Sequence, residues 1–150
     1  MGYGEIKAQG ITASYTINAE VYSPRLLIVT QKSQFKDSVM KMVAAEIGKR
    51  SIYVQVIDVT QLPSVTTSDW DGFVIFTTIE SGQIHPNVDS FLKNKQNFSN
   101  VYLINTADST QWKLKSVDID AKTSASLKEN INVYAKDIIA GIDTVLGVKH

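Results

Sequence analysis

The chain contains no cysteine, only three prolines and eight glycines, two histidines, and no excess of either charge. Each shortage excludes something. Without cysteine there is no disulfide scaffold, no thiolate metal site and no thiol catalysis. Lys and Arg number 15 against 15 Asp and Glu, with no local run of like charge, so the basic stripe of an extended nucleic-acid footprint is missing. No apolar stretch approaches the ~20 residues that a membrane span needs. The opening Met1-Gly2-Tyr3-Gly4-Glu5 is not a signal peptide. The expected location is cytoplasmic, or at a membrane through an anchor outside this sequence, with the polar segment from Gly4 to Pro24 as part of the tether.

What is present is ordinary for one globular domain: 150 residues, 43% of them hydrophobic. A chain of that length buries roughly 70% of its unfolded surface and needs no staple to fold. Tyr15, Ile17, Ala19 and Val21 alternate with polar neighbours, the period of a half-buried strand, and Pro24 separates them from the first core strand. Residues 1–24 therefore read as an N-terminal arm or edge strand, and 25–150 as the main domain. Leu26 to Thr30 is a continuous apolar strand of the kind covered on both faces. An amphipathic helix comes next, with Asp37 or Ser38 as N-cap and Val39, Met40, Val43, Ala44 and Ile47 as its apolar stripe. Ile52–Val59, Phe73–Phe76, Val101–Ile104 and a short Val117–Asp120 read as further strands. Pro86 opens a helix that turns Val88, Phe91 and Leu92 inward, and Ser126 to Val145 is the closing helix. Strands alternating with helices predict an α/β fold: a doubly wound, five-stranded parallel sheet of order 2-1-3-4-5, helices on both faces.

Most chemical signatures fail. There is no GxGxxG or GxxxxGK[ST] after the first strand, which removes the dinucleotide and P-loop readings. A phosphoacceptor receiver needs carboxylates where this chain has Thr30-Gln31-Lys32 and Thr77-Thr78. No GxSxG elbow is present, and His85 beside Pro86 reads as a surface or capping residue. Asp118 and Asp120 share a strand face, but a solvated strand end explains them. Asp69 and Asp71, flanking Trp70, read as loop residues.

Three segments carry a resemblance. Leu27-Ile28-Val29 runs into a polar loop and a helix; Trp70 to Pro86 reads WDGFVIFTTIESGQIHP, ahead of a helix with Phe91-Leu92; and Val117 to Ser126 reads VDIDAKTSAS. In this layout, over about Pro24 to Leu146, the chain resembles the flavodoxin family. The resemblance implies an FMN-dependent electron-transfer domain that docks a redox protein partner, with no catalytic side chain and no metal. It places Gln31, Lys32, Ser33, Gln34 and Ser38 against the FMN phosphate. Thr78, Ile79, Glu80, Ser81, Gly82, Asn105, Thr106 and Ala107 then face the ring, with Trp112 as a stacking candidate.

The departures are equally specific. The family's phosphate loop has hydroxyls and a glycine, whereas Gln31 to Ser38 here contains no glycine to let the backbone approach an anion. Asp37 near the helix start repels a phosphate dianion, and Lys32 and Lys36 partly offset it. Glu80 stands where an aromatic commonly stacks on the flavin. These features predict that FMN binding is weak or lost. The alternative is a flavin-free module that binds a protein or small ligand at the same strand ends. Both readings favour binding or electron transfer over catalysis.

Overall fold

A computed structural model describes residues 14–79, 83–94, 99–107, 121–125 and 131–147. Among these residues six strands form one sheet: β1 (Tyr15–Ile17), β2 (Arg25–Thr30), β3 (Tyr53–Asp58), β4 (Gly72–Ile79), β5 (Val101–Ala107) and β6 (Ala121–Ala125). Their spatial order is β1-β3-β2-β4-β5-β6. β1 pairs antiparallel with β3, and every other neighbouring pair is parallel. The α/β class is as expected from the alternation, but the sheet is mixed, not a plain parallel 2-1-3-4-5 sheet. The Tyr15–Ile17 arm adds an antiparallel edge, because three residues can pair with β3 without a crossover.

Among the described residues three helices cover the sheet: α1 (Gln34–Ile47), α2 (Pro86–Asn94) and α3 (Ile131–Leu146). One core joins Leu26, Ile28, Val54, Val56, Phe76 and Ile104 to Val39, Val43 and Ile47 of α1 and Tyr134, Ile138 and Ile142 of α3. The other joins Leu27, Val29, Phe73, Ile75 and Leu103 to Val88 and Leu92 of α2 and to Val59 and Leu62 of a 3-10 segment. Alternate residues of β2 thus feed opposite cores, which is why its sequence has no polar alternation. Each buried Leu, Ile or Val contributes about 1.5–3 kcal/mol relative to exposure.

α1 begins earlier than its capping candidates suggested. Its N-cap is Ser33, whose side chain accepts from Lys36 N at 3.0 Å; Asp37 and Ser38 lie inside the helix. Phe35 decides the matter. Its ring, in the first turn, meets Tyr134 edge-on at 5.4 Å and ties that turn to the core. Lys36 then falls in phase with Met40, Val43 and Ile47 and is buried with them.

The strand beside β5 spans 121–125, and the expected Val117–Asp120 strand lies outside the described residues. The closing helix is described from Ile131. The Asp69-Trp70-Asp71 loop is structural, in keeping with its sequence. Asp71 Oδ2 accepts from Arg25 N at 2.7 Å, and Arg25 Nε donates to Asp69 O at 3.0 Å. The Arg25 guanidinium sits 4.8 and 4.9 Å from the ring centroids of Tyr53 and Trp70. His85 caps α2: its Nδ1 accepts from Asn87 N at 3.0 Å.

Candidate functional site

Open parallel sheets place ligands where the chain leaves one strand for neighbours on opposite sides. Here that strand is β2, flanked by β3 and β4. Around its carboxyl end lie Gln31 to Ser33, the ends of β4 and β5, and the first turn of α1.

At the bottom of this crevice is Lys36, 3% exposed. Its Nζ donates to Thr78 Oγ1 and, at 3.1 Å, to Thr106 Oγ1, and stands 5.6 Å from the Phe76 ring centroid. Thr78 and Thr106 are register partners on β4 and β5, with their hydroxyls 3.2 Å apart. A buried ammonium is tolerated only with hydrogen bonds of this kind. Next to them, Gln31 Oε1 accepts from Thr78 N at 2.7 Å. β2 ends at Thr30, so the Gln31 carboxamide takes the place of a further strand carbonyl.

Across the β4–β5 pair, Thr77 Oγ1 donates to Asn105 Oδ1 at 3.1 Å, and Tyr134 Oη donates to Asn105 O at 3.2 Å. Asn105 is fully buried, and its Nδ2 has no hydrogen-bond partner among the described residues. Gln31, Thr78, Gln83, Ile84, His85 and Pro86 line a cavity of about 170 Å³ between the β2–α1 turn and the approach to α2. The Nδ1 bond to Asn87 leaves the neutral His85 ring with its donor on Nε2.

The structure therefore brings together some of the residues named from sequence and not others. Gln31, Thr78 and Thr106 converge, Asn105 turns to the other face of the sheet with Thr77, and Ala107 ends β5 opposite Ala125. Ser33 caps α1, Gln34 is its first residue and Ser38 lies one turn further along. Ile79 is buried, so it presents backbone at most. Lys32 forms an exposed ion pair with Asp37 at 2.5 Å. Glu80, Ser81, Gly82 and Trp112 lie outside the described residues. Sequence reasoning treated Lys36 as a loop charge and missed its central place. Its spacing from Met40, Val43 and Ile47 was the signal, hidden by the late N-cap assignment.

Among the described residues no group of His, Cys, Asp and Glu could hold a metal ion, and no helix is long and apolar enough to cross a membrane. No protein-family model matches the sequence, and no curated protein is similar to it at a significant level.

Proposed function

We propose that this chain is a flavodoxin-type domain, laid out for FMN and electron transfer, in which flavin binding has become weak or lost. The parallel run β3-β2-β4-β5-β6 supports the family-level reading, with its loops gathered at the carboxyl ends around β2. One observation carries the loss: the turn that would grip phosphate uses its polar groups on itself. Ser33 Oγ accepts from Lys36 N, the Gln31 carboxamide holds Thr78 N, and Asp37 holds Lys32. A phosphate must displace these contacts and also face the Asp37 carboxylate near the helix start.

The cavity beside Gln31 favours a second reading, a flavin-free binding module. At about 170 Å³ it is smaller than the 300–1,000 Å³ typical of sites for cofactor-sized ligands. Titration of isotope-labelled protein with FMN, monitored by amide shifts and flavin fluorescence, tests both. The expected result is a colourless preparation with weak, millimolar-range shifts confined to 31–38, 78–82 and 105–107. A yellow protein with stoichiometric FMN refutes the account of the turn. Shifts scattered elsewhere refute the flavodoxin-type reading and leave the module, and none at all means that flavin binding is lost outright.

A further inference from the structure

We propose that a second cavity, of about 240 Å³ between β1, the end of β2 and α1, binds a small neutral polyol of monosaccharide size through Tyr15, Thr30 and Asp37. This site goes beyond the flavodoxin-type reading and does not depend on it. It shares no lining residue with the cavity beside Gln31.

The first reason is Thr30. It lines the cavity at 2% exposure, and its Oγ1 has no hydrogen-bond partner among the described residues. A buried hydroxyl left in that condition destabilises a fold, and such groups are few, so each one points to something it serves. A valine would suit an extended, buried strand position better.

The remaining lining sets the chemistry. Asp37 contributes one negative charge and Lys41 one positive, and Asp37 already engages Lys32 through Oδ2. A ligand of either net charge gains from one of these groups and is repelled by the other. A hydroxyl suits all of them, donating to the Asp37 carboxylate while accepting from Tyr15 or Lys41, and Thr30 can serve either role. The Tyr15 phenol keeps its proton at any physiological pH. Its pKa is raised by burial and, secondarily, by the Asp37 charge, so it remains a donor. Met40 and Ala44 supply an apolar wall for a C–H face. The volume lies below the 300–1,000 Å³ typical of sites for larger ligands and suits a compact one.

Saturation-transfer NMR and thermal unfolding with D-glucose, D-ribose and myo-inositol test the proposal, with inorganic phosphate and glycine as charged and zwitterionic controls. At least one neutral probe is expected to bind saturably. Thr30→Val and Tyr15→Phe are each expected to weaken it about three- to tenfold. Thr30→Val alone is expected to raise the unfolding midpoint by about 3 °C, since it removes a buried unsatisfied hydroxyl. The proposal is overturned if no neutral probe binds, if a control binds in preference, or if both variants bind a probe as tightly as the parent. A lowered midpoint in Thr30→Val also overturns it, because the hydroxyl would then be satisfied within the fold. Tyr15, at a partly exposed edge, can lose its hydroxyl without loss of folding, so Tyr15→Phe reads the binding contribution separately from the stability change at Thr30. FMN titration of the same samples reports separately on the flavodoxin-type reading.

Discussion

α3 is seated by the absence of a side chain, and that makes Gly141 the most informative single position in the molecule. A Cβ added there would lie 2.5 Å from Tyr102 Cγ and 2.6 Å from Cε2, and closer still to Cδ2. Ordinary contacts begin near 3.4 Å, so the ring or the helix must shift by about 1 Å. Because the overlap reaches Cγ, rotation about the ring axis does not relieve it. Overpacking of this kind costs typically 1–3 kcal/mol. Against it stands the helix propensity of alanine over glycine, about 0.8–1.0 kcal/mol in a helix interior. The net expectation for Gly141→Ala is a loss of up to about 2 kcal/mol. In a Tyr102→Ala background the overlap is gone and only propensity remains, so the same substitution should stabilise by up to about 1 kcal/mol. Urea unfolding of the four proteins, compared by midpoint at unchanged slope, measures the cycle. The prediction is a reversal of sign with a coupling of about 2 kcal/mol. Equal effects in both backgrounds would refute the close-approach argument. The site is involved too, since Tyr134 of α3 carries the hydrogen bond to Asn105 O.

Other expectations rest on single contacts. Asn18 sits at φ 72°, and its Nδ2 donates to Ile47 O, Arg50 O and Ile52 O at 3.1, 2.8 and 2.9 Å. Asn18→Gly loses the bonds alone, about 1–2 kcal/mol, whereas Asn18→Ala adds left-handed strain of about 1 kcal/mol more. Denaturant titration should therefore rank Ala below Gly. Ser33→Ala should cost about 1 kcal/mol as loss of the α1 cap, and Asp37→Ala less, because its ion pair with Lys32 is exposed. The opposite ranking would return the cap to Asp37. Tyr102 has its pKa raised above 10.0 by burial first and by Asp137 second. A raised folded pKa means its contribution is fully present below the unfolded value and is lost as pH rises through the folded one. Stability should thus fall above about pH 10, and Tyr102→Phe should flatten that alkaline limb; an unchanged limb would contradict the assignment.

Particular elements show what was legible in the sequence. Unbroken apolar runs at Leu26–Val29 and Phe73–Phe76 read correctly as strands buried on both faces, because that burial leaves no room for polar alternation. The helix stripe Val39, Met40, Val43 and Ile47 was equally clear. The start of α1 was not. Ser33, Asp37 and Ser38 are all competent caps, and the choice among them depends on Phe35 reaching Tyr134 on a helix about 100 residues further along the chain. Local pattern carries no record of that contact. The same error concealed Lys36, which looks like a loop charge until its helix is extended backwards by one turn. β1 was half legible: its alternation ran on to Val21, but the strand stops at Ile17. There Asn18 turns left-handed and ties the arm to the carboxyl end of α1.

The interlocking of this first turn decides how an anion grip could be restored. The simplest idea is to supply the missing glycine at Phe35 and remove the charge at Asp37. The structure separates the two changes. Phe35 packs against the main core and edge-on to Tyr134, so Phe35→Gly loosens the ring that holds Asn105 O while also placing glycine in a helical turn. It should cost about 3 kcal/mol and gain no affinity for FMN. Asp37 makes a short, exposed ion pair with Lys32 and is not part of the core. Asp37→Thr removes the repulsion near the helix start and frees the Lys32 ammonium for phosphate. If repulsion near the turn dominates, FMN affinity rises in Asp37→Thr by about tenfold, equivalent to about 1.4 kcal/mol. Fluorescence titration of the two single variants, with urea unfolding alongside, distinguishes them. A stable Phe35→Gly protein with gained affinity would mean that backbone closeness, not charge, is what keeps the flavin out.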